Sequence, residues 1–319
     1  MATTTGWNTI ESDAGLFTEL VEQLGVKGVV FEELLSLDPD SLRALAPLYG
    51  IIFLFKWTEA AVKSTADGRP LDGEYDPEAE QTLFFAHQKI QNACATQAIL
   101  SVLLNRKEIK LGSSLTEFEA FVADFDADLR GETLSNSDLI RLVHNSFSRP
   151  VPFVDETHAP RSAANSADDI YHYIAYIPIA GKLYELDGLQ PFPIRLDDST
   201  TDENFPEKVV EALYRRIGRY PEGEVRFNLM AVAKDPRDLL LAVGDQEGYM
   251  REQEKRENWK RENVLRKENF VGLIAEILKG VLGSSVENQE SFEKLIVGAK
   301  DRSAKRRQSE QRRKLMSQF

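Results

Sequence analysis

A single cysteine, Cys94, stands six residues after Gln88 in the stretch Phe84 to Leu104, FFAHQKIQNACATQAILSVLL, and no other thiol occurs in the 319 residues. One thiol can neither close an internal disulfide nor supply a multi-thiolate metal site, which leaves a core hydrophobe, a surface thiol or a catalytic thiolate. The neighbours favour the last. Gln88, Lys89, Gln91 and Asn92 make a polar lead-in, and from Ala93 to Leu104 the chain is a strong helix former with Ile99, Leu100, Val102 and Leu103 available for packing. Cys94 therefore falls in the first turn of a helix, where unpaired amides and the helix dipole favour an anion and raise the thiolate fraction.

A thiol nucleophile needs a base to take its proton and a group to hold that base in one tautomer. Of the four histidines, His87 adjoins Gln88, His144 falls inside a helical pattern and His158 lies in a long loop, positions that suit surface or packing roles. His172 differs. It opens the strand pattern YHYIAYIPI, which turns at Ala180-Gly181 into KLYELDGL and brings Asp187 across from it. Nucleophile, base and orienting carboxylate then follow in the order Cys94, His172, Asp187, while the Gln88 amide and the Cys94 backbone N–H are suited to receive the oxyanion of a tetrahedral intermediate. No cofactor and no metal are expected.

Positioning these groups requires a sheet and helices on it. Helical periodicity is read over Ser12–Leu24, Ser36–Leu48, Leu115–Phe125 and Ser135–Phe147, and strands over Val26–Glu32, Ile51–Phe55, Tyr171–Ile177, Lys182–Leu186 and Glu224–Val232. The alternation predicts an α/β (α+β) sandwich with a central, mostly antiparallel sheet flanked by helices. Ser148–Asp169, with three prolines and little periodicity, reads as one long loop. Glu247–Lys267 is a dense charge run, read as a solvated helix leading away from the domain. Beyond it, Phe270, Leu273, Ile274, Ile277, Leu278 and Leu282, then Phe292, Leu295, Ile296 and Ala299, recur at helical spacing. The expected divisions are thus a catalytic domain over 5–245, a charged helical linker over 246–268 and a helical extension with a basic tail over 269–319. A domain ending near Gly244 is expected to fold without the rest.

The formal charge is −13, of which the tail from Ala299 to Phe319 carries +6, so the other residues carry −19. Such an acidic body repels nucleic acid and attracts a basic partner. The start, MATTTGWNTIESDAG, has neither basic residues nor an apolar run, so no signal peptide is expected. No membrane span is expected either, because YGIIFLFKW is far shorter than the ~20 residues needed. A lone free cysteine suits a reducing compartment.

The stretches NACATQAI and YHYIAYIPIAGKLYELDG closely resemble the ubiquitin C-terminal hydrolases, thiol peptidases of papain-like fold, with the likeness running over roughly residues 5 to 235. The resemblance implies Cys94 as nucleophile, His172 as general base and acid, Asp187 as its orienting residue and Gln88 in the oxyanion hole. It also implies that Ser148–Asp169 is the family's crossover loop, straddling the active site. Ubiquitin, with an arginine-bearing C-terminal tail, would be the partner of the acidic body, and hydrolysis would fall after its terminal glycine. Over Asn269–Lys305 the chain looks like the proteasome-associated branch of the family, which implies docking of 269–319 to a ubiquitin-receptor subunit of the proteasome regulatory particle, and in animals to a chromatin-remodelling complex. Cytoplasmic and nuclear residence would follow. Two other readings stand beside it: a ubiquitin-binding scaffold with an idle cysteine, and a generic papain-like peptidase.

Overall fold

Asp13 accepts a hydrogen bond from the Leu16 amide at 2.8 Å and so caps α1 (Ala14–Gln23), which buries Leu16, Phe17, Leu20 and Val21. The computed structural model describes residues 6–58, 65, 68–149, 171–285, 297–298 and 300–302. After α1 come β1 (Val29–Glu33), α2 (Pro39–Arg43), β2 (Leu48–Lys56) and β3 (Glu74–Tyr75), then the helices α3 (Cys94–Leu103), α4 (Gly112–Val122), α5 (Ala127–Asn136) and α6 (Asp138–Asn145). The hairpin β4 (Tyr171–Ile179) and β5 (Lys182–Leu186) leads to β6 (Ile194–Asp197), α7 (Phe205–Ile217), β7 (Phe227–Lys234), α8 (Arg237–Ala242) and α9 (Gln246–Lys267). These elements make one unit, which reaches Lys267; a second begins at Glu268 and contains α10 (Val271–Ser285).

The strands form one sheet in the order β1-β7-β2-β4-β5-β6-β3, and every described pairing is antiparallel. Strand side chains alternate between the faces. On β4, Tyr173, Ala175 and Ile177 join the core shared with α1 and α3, while Ile174 and Tyr176 join the core shared with α2 and α7. The sheet is thus sandwiched between two helical layers. Gly50 on β2 lets α3 lie close: a Cβ there would run into Tyr176 O, Ile177 Cγ2 and Val102 Cγ1. At the β4–β5 turn Ala180 and Gly181 both have positive φ, 49° and 80°, the conformation that joins two twisted strands in a tight hairpin.

The helical pattern over Ser36–Leu48 gives way after Arg43, because Pro47 lacks the amide a continuing helix needs and the run from Leu48 is aromatic and β-branched. Ser135–Phe147 is likewise split. Ser137 caps α6, and the residues before it finish α5. The short strands β3 and β6 escaped the sequence reading. The long loop lies outside the described residues except at Ser148 and Arg149, as do Phe292, Leu295 and Ile296 and most of the basic tail.

The charged helix requires a correction. Instead of leading away, α9 lies along α1, with the Trp259 ring in the space where a Cβ at Gly15 would stand. Asn263 Nδ2 donates to Glu19 at 2.7 Å and to the Gly15 carbonyl at 3.3 Å, Arg266 bonds Asp13 at 2.6 Å, and Lys255 bonds Glu32 at 2.7 Å. Arg256 and Asn263 are buried, whereas Met250, Val264 and Leu265 are more than half exposed. A helix that turns most of its apolar residues outward, keeps only Trp259 against α1, and buries an arginine and an asparagine has no apolar stripe to detect. Among the described residues no helix is long and apolar enough to cross a membrane.

Candidate active site

Cys94 is the first residue of α3 and is 8% exposed. Among the described residues no side chain caps this helix, and a 3-10 turn over Gln91–Ala93 leads directly into it, so the positive end of the helix dipole lies at the thiol. His172 and Asp187 arrive from the hairpin. Their register pairs Ala175 with Leu186, which leaves Asp187 one residue past the end of β5, so it meets His172 diagonally rather than directly across. His172 Nε2 lies 2.7 Å from Asp187 Oδ1, which also accepts from the Leu189 amide at 2.9 Å. The Cys94 thiol lies near enough to His172 to favour the imidazolium, and with Nε2 engaged by the carboxylate it is Nδ1 that is left for the thiol.

Two loops are braced together around this set. The Gln88 backbone N–H donates to Gly188 O at 2.8 Å, and the Gln97 side chain on α3 donates to Ala86 O at 2.5 Å. A Cβ at Gly188 would strike Gln97 Nε2, Ala86 O and the Gln88 nitrogen, so only glycine allows the Asp187 loop to close on the Gln88 loop. Gln88 is thereby fixed by its backbone at a partly exposed position six residues before the thiol.

The remaining histidines serve elsewhere. His87 has its ring nitrogens 2.7 Å from Asp128 and 3.1 Å from Pro191 O. His144 is fully buried, edge-on to Trp7 with ring centroids 4.9 Å apart, between Thr96 Oγ1 at 2.7 Å and Asn8 O at 2.6 Å. His158 lies outside the described residues.

Burial works against an imidazolium at His172, but the Asp187 charge and hydrogen bond, followed by those of Cys94, outweigh it and push the pKa up to about 9. Burial likewise opposes ionised Asp187, and His172, the Leu189 amide and the Arg216 charge together bring its pKa below the usual carboxylate value. Since the folded pKa of His172 exceeds the unfolded value of about 6.5, its contribution to stability is complete below that pH and is lost as pH rises through about 9. A urea midpoint measured at pH 7 and pH 10 should fall by the equivalent of up to about 3 kcal/mol through this group. His172→Gln should remove that part of the fall; an unchanged fall in the variant would show that the pair does not titrate there.

The arrangement can deprotonate a thiol, hold the resulting imidazolium and deliver its proton to a leaving group. Residues 7–218 match the family described as "Ubiquitin carboxyl-terminal hydrolase, family 1". The chain belongs to that family. Ubiquitin carboxyl-terminal hydrolases are cysteine peptidases, and this chain is one of these enzymes. Residues 250–281, spanning most of α9 and part of α10, match a second description, "Ubiquitin carboxyl-terminal hydrolases". Ubiquitin carboxyl-terminal hydrolase 2 of Schizosaccharomyces pombe is 50% identical over 280 residues, covering 86% of this chain and 90% of that protein. Ubiquitin carboxyl-terminal hydrolase isozyme L5 of Dictyostelium discoideum is 37% identical over 361 residues, covering 97% and 99%. Among solved structures, the Trichinella spiralis UCH37 catalytic domain bound to ubiquitin vinyl methyl ester is similar at a TM-score of 0.59 and 38% identity, over 73% of this chain and 97% of that one. The hydrolase fold is therefore shared.

Three residues beside the histidine and aspartate were missed in the sequence: Phe55, Glu185 and Arg216. A signal existed for the last, because α7 places Phe205, Val209 and Leu213 on a buried stripe and Arg216 continues it.

Proposed function

We propose that this enzyme hydrolyses the amide or isopeptide bond after the terminal glycine of ubiquitin, with Cys94 as nucleophile, His172 as base and acid, Asp187 as its orienting residue, and Gln88 with the Cys94 amide as the oxyanion hole. The observation that carries the reading is the buried His172–Asp187 hydrogen bond of 2.7 Å beside Cys94 at a helix start. The thiolate attacks the glycine carbonyl, and the oxyanion is received by amide donors. His172 protonates the departing amine, leaving a thioester. Water then loses a proton to His172 and attacks that thioester, and the thiol and the ubiquitin carboxylate are released. The UCH37 of Trichinella spiralis was solved with ubiquitin vinyl methyl ester, which supports ubiquitin as the acyl group here. The same probe tests the reading. A covalent adduct at Cys94 is expected; an idle scaffold would bind ubiquitin without an adduct, and a generic peptidase would cleave unrelated peptides instead.

The extension is proposed to dock on the proteasome's ubiquitin receptor, the enzyme working in cytoplasm and nucleus. Support comes from α10, where Leu273, Ile274, Ile277 and Leu278 are each more than half exposed at helical spacing. Replacing Leu273 and Ile277 with aspartate should weaken binding to the receptor's helical domain about a hundredfold or more. Undiminished capture of the double variant would remove the docking claim.

A further inference from the structure

Arg216 is a buried cation that the proposed mechanism does not use, its side chain only 3% exposed. Its Nη1 donates to Glu185 Oε1 at 2.9 Å, and the Tyr176 hydroxyl donates to Glu185 Oε2 at 2.7 Å. Tyr176 and Glu185 are partners across β4 and β5, and Asp187, two residues after Glu185, shares its side of the hairpin. The guanidinium carbon lies 4.7 Å from the centroid of the Phe55 ring. That same ring meets His172 at 5.6 Å with an interplanar angle of 89°, Phe55 being the residue paired with His172 in the sheet. Thus Phe55 touches both Arg216 and the histidine of the proposed triad, and the cation lies on the side of the sheet from which Asp187 comes.

We infer that Arg216 is a positioning residue for the hydrolysis: anchored by Glu185 and Tyr176, it holds Phe55 against His172 and presents a fixed positive charge to the His172–Asp187 pair. It touches neither Cys94 nor substrate. The inference rests on the triad reading above. The favourable influence of Arg216 on ionised Asp187 agrees with it.

A buried ion pair kept only for folding would make the same contacts, so the test must read charge at the triad. Facing the His172–Asp187 pair are Cys94 from α3 and Tyr75 from β3, while Tyr176 from β4, and Arg219 and Tyr220 beyond α7, face the Arg216–Glu185 ion pair. Tyr75 and Tyr176 are held above the ordinary tyrosine value by desolvation first, and Tyr220, half-buried, is pushed up to about 12. None of the three therefore titrates within the working range.

The experiment is the pH profile of adduct formation with ubiquitin vinyl methyl ester by the full chain. Removing a nearby cation makes every neighbouring acid hold its proton more tightly, so Arg216→Gln should move both limbs of the profile to higher pH, on the order of one unit for a charge several ångströms away in a protein interior. Glu185→Gln removes the anion and still offers Tyr176 an acceptor, so it should move both limbs to lower pH. Arg216→Lys keeps the charge but not the planar fork, and should lower the rate without moving the limbs. Should Arg216→Gln fail to fold, Glu185→Gln carries the test alone. Lowered melting temperatures with every limb unmoved would overturn the inference. A wild-type chain that forms no adduct at all would count against the triad itself, a distinguishable result.

Discussion

Cys94→Ala should abolish adduct formation and hydrolysis of ubiquitin conjugates while ubiquitin binding is nearly kept, because the thiol supplies the chemistry but little contact area. His172→Ala should cost about a millionfold in hydrolysis and Asp187→Asn about ten-thousandfold, since the members of such a unit are strongly interdependent and the orienting group is the least costly to lose. The aspartate effect has a structural basis. Oδ1 of Asp187 holds Nε2 of His172 at 2.7 Å, so an asparagine would keep the shape and lose the charge that favours the imidazolium. Rates are best compared with a ubiquitin-fluorophore amide at pH 7, alongside calorimetric affinity for ubiquitin. Turnover by the Cys94→Ala protein would rule out this thiol as the nucleophile.

A chain ending at Gly244 should still react with the ubiquitin probe but melt about 10 °C below one ending at Lys267. The reason is α9. Deleting it uncovers the side of α1 occupied by Trp259, and it takes the Arg256 guanidinium from Asp235, where they meet at 2.7 Å. Restoring water to an indole site and breaking several charge-assisted bonds costs about 3–5 kcal/mol, which for a domain of this size corresponds to roughly 2–4 °C per kcal/mol. Differential scanning calorimetry of both truncations reads it directly. Equal melting temperatures would mean that these contacts add nothing to the fold, and the domain would then end where the sequence alone placed it.

The thiol and the charged helix differ in how much of each the sequence carried. Cys94 was legible because a polar lead-in followed by a run of good helix formers fixes a helix start locally, and His172 because a two-residue turn between alternating strands sets which residues lie near one another. The hairpin's diagonal offset was not legible, since register past the last pair depends on how the strand ends. Nor was α9, whose attachment to α1 is made by an indole, an asparagine and several ion pairs that leave no hydrophobic period. Arg216 lay between these cases: it breaks an apolar stripe visibly, but its meaning depends on Glu185 and Phe55, which come from other strands.

All ten residues of α3 are buried, from Cys94 to Leu103, with Gly50 holding the sheet close beneath them. A helix enclosed along its length cannot swing independently, so beyond its first turn its amides are expected to open to solvent only with the domain as a whole. The nucleophile is therefore anchored to a helix with no low-cost motion of its own. A regulator of this enzyme has no cheap motion of the thiol to exploit; it must act on what approaches Cys94, through the end of the hairpin or the path of the ubiquitin tail.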